Sequence, residues 1–420
     1  MGFFRAFFGI EKKKKEKRPR HRRRRDDDDD DQDANLDPWS KEGIAAALRK
    51  HFDGGRKRHG LKYRRVVGEG AVGVAALLQD VRKDPAKSYI IKRARKREYM
   101  DQLRSEMNIL RQFRGAAHIS KIVKFKDRGY DQRDELPGPY FITEYLENGT
   151  FDDFFKRTCR ARVRVPNRVL WHLLLCFIRA CVGLTWPPRG GEGAPDELER
   201  VPGQRGPTAA YAHNDLHTEN DTLKMRVTLT VLVMIGGLQP DVREHEKVPV
   251  IKLIDFGAAS QIDKCQKPLD EVNFNPMQGH ASNMRDVGEV GRERAFSQMK
   301  LPRLTKQMMM RLITGIPFAL PPWKPVMYGN AQTDASLLWE PKAQERYPLL
   351  DEPIRQAVGL MMACRYEHRP TLQQVLDIAS RAVRNKRSTD YPRRIQREES
   401  SKGIRDFVNR YMFDADEEEF

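Results

Sequence analysis

The spacing of apolar residues divides this chain into a strand-like first part and a helix-like remainder. Lys62–Val67 and Val74–Gln79 read as strands on either side of a glycine cluster, Asp80–Lys87 as a polar turn, and Ser88–Arg93 as another short apolar run. At residues 99–113 the period changes: Met100, Leu103, Met107, Leu110 and Phe113 recur at helical spacing and share one face. Tyr140–Leu146 reads as a strand closed by the turn signal Glu147-Asn148-Gly149. Helices then dominate, with Val169–Leu184 strongly apolar and Asp351–Met362 and Leu372–Val383 amphipathic. The expected fold class is α+β: a small strand-rich part, then a larger helical one.

Three stretches fall outside this pattern. Lys12–Arg25 is almost wholly basic and Asp26–Asp31 wholly acidic, so residues 1–40 cannot bury apolar surface and are expected to be a disordered tail. Pro187–Thr208 is rich in Pro, Gly and charge and reads as an inserted surface loop. Residues 386–420 are charged and uneven, ending in Asp-Glu-rich sequence, and read as a charged C-terminal tail. No internal repeat is evident.

Charge adds little to this division. The net charge is +18, but residues 1–40 hold 12 Lys+Arg against 10 Asp+Glu, so nearly all of the excess lies in the body. Such a body suits acidic partners without choosing one, and the basic block is compatible with nuclear import or nucleic acid. The adjoining aspartates favour a solvated tail, and no nucleic-acid partner is expected. Cys159, Cys176, Cys181, Cys265 and Cys364 show neither metal-type spacing nor a dense framework, which points to reduced thiols. Ala6 stands where a myristoylation signal needs Ser or Thr, and Phe3–Ile10 is too short and charge-broken for a secretory segment. Val227–Leu238, taken as the most apolar later run, falls short of the ~20 residues that cross a bilayer. A soluble intracellular protein, cytoplasmic or nuclear, is expected, with no membrane partner.

The candidate chemistry starts at His213-Asn214-Asp215-Leu216-His217-Thr218-Glu219-Asn220, which sets an aspartate five residues before an asparagine. Lys252-Leu253-Ile254-Asp255-Phe256-Gly257, a strand running into its aspartate, follows downstream. Together they supply a carboxylate to orient and deprotonate a hydroxyl and two oxygen ligands for Mg²⁺, which needs few protein ligands besides phosphate oxygens and water. Gly68-Glu69-Gly70-Ala71-Val72-Gly73 fits G-x-G-x-x-G, where glycine lets backbone approach phosphates closely. A dinucleotide fold would need a helix directly after those glycines, and strand-like sequence follows instead. Lys92 closes the apolar run Tyr89-Ile90-Ile91, and Glu106 on the helical stretch is its candidate partner, with Glu98 as the fallback.

These elements together resemble the eukaryotic protein kinase superfamily over roughly residues 60–385. The resemblance implies a bilobal fold with a five-stranded sheet plus one helix in the small lobe (about 55–143), a hinge at 144–149, and a helical lobe at 150–385. It implies ATP and Mg²⁺ as cofactors and a protein Ser/Thr hydroxyl as acceptor. By this resemblance His213 would open the catalytic loop, Asp215 would be the catalytic base, and Asn220 and Asp255 would hold the metal. Gly68, Gly70 and Gly73 cover the phosphates. Lys92 pairs with them and is held by Glu106. Thr143 is the gatekeeper, and the backbone from Glu144 to Leu146 meets adenine.

Several positions depart from the family pattern. Ala75 replaces the usual valine over adenine, and Asn214 the arginine that reads a phosphorylated activation loop, so switching through that loop is not expected. His217 replaces the usual lysine, a form that resembles aminoglycoside and choline kinases. Asp221–Leu232 is an insertion before Val233-Met234-Ile235-Gly236, the strand expected soon after Asn220. No Ala-Pro-Glu follows Asp255; Asp286 resembles the aspartate anchoring the catalytic loop, and Arg369-Pro370-Thr371 the closing arginine motif. A catalytically dead kinase-like scaffold and a small-molecule kinase are therefore the alternatives.

Overall fold

The computed structural model describes residues 36–53, 60–70, 72–123, 136, 138–188, 190–191, 193–203, 210–212, 233–257, 259–262, 308–316, 325–340 and 342–413. The class is α+β. Four antiparallel strands, β1 (Leu61–Glu69), β2 (Gly73–Asp80), β3 (Lys87–Ala94) and β4 (Tyr140–Glu144), pair in chain order. Where five strands were expected, four are formed among the described residues. Ile122 bridges Thr143 and the Val123 amide donates to the Ile142 carbonyl at 2.8 Å, so chain begins to pair along the free edge of β4.

The sheet is covered on both faces, and strand alternation decides what each face carries. Val74, Ala76, Leu78, Tyr89, Ile91 and Ile142 point one way into a buried cluster with Ile44 and Leu48. Those two belong to α1 (Lys41–Asp53), a helix that the division into tail and domain left unassigned. Ile44 and Leu48 stand one turn apart, and the Ser40 hydroxyl accepts the Gly43 amide at 2.9 Å at the helix start. On the other face α2 (Met100–Gln112) packs against β3 and β4, burying Leu103, Ile109 and Leu110 with Phe113 and Phe141.

Beyond β4, Thr150 and Asp153 form a reciprocal capping box that starts α3 (Phe151–Arg160). The centre of the helical part is α4 (Asn167–Thr185), and all of its residues are buried. This helix, and not Val227–Leu238, is the long apolar run of the chain: its length and composition would suffice to cross a membrane, yet it is wholly enclosed by protein. A buried core helix of this kind is consistent with a soluble protein. The helix Leu372–Asn385 lies along it, and the short strands β5 (Ala210–Ala212) and β7 (Ile251–Leu253) pack on it.

The segment read as a charged C-terminal tail is folded through residue 413. Tyr391, Ile395, Ile404, Phe407, Val408, Tyr411 and Met412 are buried, and Ser401–Val408 is helical. Its apolar residues recur at helical spacing between charges, so average composition conceals an amphipathic face. Glu399, fully buried, accepts the amides of Asn167 (2.7 Å) and Arg168 (3.0 Å) at the start of α4, whose own N-cap residue, Pro166, offers no side-chain acceptor. Sequence far away thus caps the central helix. Residues 1–35 and 414–420, the outer parts of the two expected tails, lie outside the described residues.

Candidate functional site

Lys92 stands on the α2 face of the sheet, opposite Ala75 of β2 and Phe141 of β4. Its ammonium lies 2.8 and 2.9 Å from the two carboxylate oxygens of Glu106 on α2 and 2.8 Å from Asp255 Oδ1. A strand, the helix that follows it and a turn 163 residues from Lys92 therefore meet at one nitrogen. Glu98, the fallback partner, is 62% exposed and pairs with Lys96 instead. Helical geometry decides between them, since Glu106 shares the inward face of α2 with Leu103 and Leu110, while Glu98 lies in the turn before the helix.

The electrostatics follow from two carboxylates sharing one ammonium. Burial works against the Lys92 charge, but Glu106 and Asp255 outweigh it and hold the ammonium above its usual range. Burial, reinforced by Asp255 and opposed by Lys92, holds the Glu106 carboxyl above the usual carboxylate range. The Phe256 backbone adds a hydrogen bond to Glu106, so α2 grips both sides of the Asp255 turn. Gln102 Nε2 adds a third tie, donating to the Gly257 carbonyl at 3.1 Å.

Asp255 adopts a φ of +58°, the left-handed region that a non-glycine residue rarely occupies. The turn makes adjacent residues diverge. The Asp255 side chain remains 40% exposed beside Lys92, while Phe256 is fully buried, 5.2 Å ring to ring from Phe113. Phe113 in turn meets Tyr211 of β5 at 5.1 Å. Such strain persists only where surrounding packing over-determines it, and it concentrates at functional sites.

Two short pairings bracket Asp255. Val233–Ile235 (β6) pairs with β7 just before it, and β5 pairs with Ser260–Ile262 (β8) just after it. Ala212 is the residue preceding His213, and Val233 follows the expected insertion, so both ends of the 213–232 stretch are anchored beside Asp255. His213, Asp215, Asn220, Asn214, His217, the insertion Asp221–Leu232 and Asp286 lie outside the described residues. Val233–Ile235 is the strand expected after Asn220.

The glycine cluster is the connection between β1 and β2. The Gly70 amide donates to the Gly73 carbonyl at 2.9 Å, and Arg95 reaches both Glu69 and the Gly70 carbonyl at 3.3 Å. A Cβ at Gly73 would stand 2.6 Å from the Arg93 carbonyl oxygen, so that position requires glycine, whereas one at Gly68 would meet nothing within 4 Å. Gly68 and Gly70 therefore leave backbone accessible, and Gly73 permits close strand packing.

At the end of β4, the Glu144 carboxylate accepts the Lys121 amide at 2.8 Å and pairs with Lys252 of β7 at 2.7 Å. Its own amide donates to the Lys121 carbonyl at 3.0 Å. Both of these groups are taken up by partners inside the protein. Leu146 is buried beside Gly236 and Val250. Asp196, from the loop expected at 187–208, pairs with Lys121 at 2.8 Å and approaches Lys252 at 3.7 Å. That brace between β4, β7 and the loop carries no local sequence signal, because its members lie on four separate segments. Arg369 is bound to the carbonyls of Ala363 (2.8 Å) and Cys364 (3.4 Å), and Thr371 begins the next helix as a capping box with Gln374. A scan of the chain against family models returns no match, and a search of curated proteins returns none.

Proposed function

We propose that this chain is a divergent protein kinase of bilobal fold, which transfers the γ-phosphoryl group of Mg²⁺-bound ATP to a serine or threonine hydroxyl of a protein. The observation that carries the reading is the meeting of Lys92, Glu106 and Asp255 within 2.9 Å, at a strained Asp255 turn bracketed by the strands that anchor 213–232. A single ammonium between two carboxylates, one buried and one facing solvent, suits phosphate on one side and a hard cation on the other. Mg²⁺-ATP would supply the transferable phosphoryl group and neutralise its charge.

In this reading Lys92 contacts the phosphates, and Glu106 fixes its position from α2. Asp255 and Asn220 offer oxygen to Mg²⁺, and Asp215, at the start of the stretch anchored beside Asp255, orients and deprotonates the acceptor. Gly68 and Gly70, which carry no side chain, let exposed backbone approach the phosphates. The small lobe corresponds to residues 55–143, the hinge to 144–149 and the helical lobe to 150–385, and the protein works inside the cell, in cytoplasm or nucleus.

Radiolabelled ATP with a generic protein substrate tests this. Transfer that is abolished in Asp215→Asn while nucleotide binding persists is the expected result; equal transfer by that variant would refute it. The engagement of Lys92 by both carboxylates also suits a second reading, a kinase-like scaffold, for which wild-type protein gives no Mg²⁺-ATP-dependent thermal shift and no transfer. Turnover of amino alcohols or aminoglycosides without protein labelling would assign it to the small-molecule kinases instead.

A further inference from the structure

Away from the Lys92 site, three potential metal ligands converge in the core of the helical part. His118 lies on the segment after α2, Cys176 in the middle of α4, and His245 in the loop before β7. One ligand atom from each lies within 4.8 Å of the others. All three are essentially removed from solvent, at 0%, 1% and 1% exposure. The two rings stand 5.1 Å apart, centroid to centroid.

The hydrogen bonding of these rings is incomplete: His118 is satisfied on one side only, and His245 on neither. His118 Nδ1 lies 2.7 Å from Glu199 Oε2, and the other Glu199 oxygen accepts the His118 amide at 2.8 Å. Glu199 is itself buried, so it fixes both the ring orientation and the tautomer with a proton on Nδ1. His118 Nε2 has no well-formed hydrogen bond beyond its approach to Cys176, and the His245 ring nitrogens have none beyond an approach to the Val248 backbone. Leaving a buried ring nitrogen without a partner costs about 1–3 kcal/mol, which is why native interiors rarely tolerate it.

We propose that His118 Nε2, Cys176 Sγ and His245 bind one Zn²⁺ ion, with Glu199 behind His118 as the carboxylate that orients it. Two imidazoles and one thiolate form a borderline-soft set that suits zinc and excludes Mg²⁺ and Ca²⁺, which require oxygen. With bonds of about 2.0–2.3 Å, tetrahedral ligands stand roughly 3.3–3.8 Å apart, so contraction from the separations here asks less than about an ångström of each side chain. A buried carboxylate holding the far nitrogen of a ligand histidine is the usual outer support of such sites.

The charges balance. The adjacent Arg179 is paired with Glu244 at 2.6 Å, so it leaves no net charge beside the cluster. Zn²⁺, the Cys176 thiolate and Glu199 sum to zero. The cation takes the Cys176 sulfur as thiolate and both imidazoles as neutral ligands, so its binding is pH-dependent.

The site has a mechanical consequence. The Leu253 amide donates to the His118 carbonyl at 3.0 Å, and the Ser120 amide donates to the Leu253 carbonyl at 2.8 Å. Leu253 lies two residues before Asp255, so a cation at these ligands would staple α4 to the strand that carries Asp255.

Metal content of the purified full-length protein, its affinity tag removed, is the first measurement. One zinc per chain is expected, and zinc well below stoichiometric, or copper in its place, overturns the assignment. Cobalt(II) added to chelator-stripped protein should give a thiolate-to-cobalt charge-transfer band together with tetrahedral visible bands, and spectra lacking the thiolate band refute Cys176 ligation. Cys176→Ala should lose both metal and band, whereas full zinc retention in that variant would place the ion elsewhere. If that variant does not fold, His245→Asn and the wild-type cobalt spectrum decide the question on the same criteria. None of these readouts depends on kinase activity.

Discussion

Replacing Lys92 with methionine tests the electrostatic logic of the candidate site. Lys92 stands 2.8 Å from Glu106, whose side chain is only 2% exposed, and the Lys92 side chain is 19% exposed. At that separation and an effective dielectric constant of about 20, the attraction amounts to roughly 6 kcal/mol, part of which offsets the desolvation of Glu106. Lys92→Met keeps the aliphatic stem but leaves a buried carboxylate with burial and Asp255 both acting against its charge, for an expected loss of about 3–5 kcal/mol. The pH dependence carries a sign. A carboxyl whose folded-state pKa is raised favours the folded state at low pH, and that stability is lost as pH rises through the raised value. Lys92→Met should therefore be less impaired at about pH 5.5 than at about pH 8. Urea denaturation of Lys92→Met, Glu106→Gln and the double variant at both pH values measures it, and the double variant should recover most of the loss. A Lys92→Met penalty under about 1 kcal/mol at the higher pH, or one that does not change with pH, would refute the reasoning.

Other consequences are equally direct. Asp255→Asn should weaken Mg²⁺-dependent nucleotide binding about 100-fold, measured by titration calorimetry with and without Mg²⁺, because it removes the solvent-facing carboxylate beside Lys92. Gly73→Ala should destabilise the protein by about 1–3 kcal/mol in urea denaturation, since the added Cβ meets the Arg93 carbonyl at 2.6 Å. Gly68→Ala, with nothing within 4 Å of its Cβ, should leave stability unchanged and alter nucleotide affinity alone. Glu399→Ala should cost about 3 kcal/mol and expose residues 386–413 to limited proteolysis, because it uncaps two amides of α4 and leaves Asn167 Nδ2 without its 3.0 Å acceptor.

The strands were legible because period-two alternation around a glycine turn is a local property, and β1 to β3 lie close to where it put them. The helices at 100–112, 352–361 and 372–385 were legible for the same reason at period 3.6. Composition misled where it was averaged over a window. Residues 386–413 look like a solvated tail because charges outnumber apolar residues, yet the few apolar ones fall on one face and are buried. Helix α1 was missed because its Ile44 and Leu48 are outnumbered by alanine and charge, and the sheet face they cover becomes visible only after β1 to β3 assemble.

By itself, the sequence determined which candidate residues the chain offers: Lys92, Glu106 and Asp255 are residue types suited to phosphate and a hard cation, in an order that suggests a shared cleft. It also placed a glycine turn between β1 and β2, while only the approach of the Arg93 carbonyl shows that Gly73 is the position that requires glycine. Only the tertiary structure decided that Glu106 and not Glu98 meets Lys92, since that choice depends on which face α2 presents to the sheet. Only packing turned Glu144 inward to Lys252, brought Glu199 against His118, and set Glu399 over the start of α4. These pairs span from 81 to 232 residues of chain. No local period can encode contacts of that range, because they are selected by the free energy of burying charge with its partner, and the partner is defined only once the core has formed.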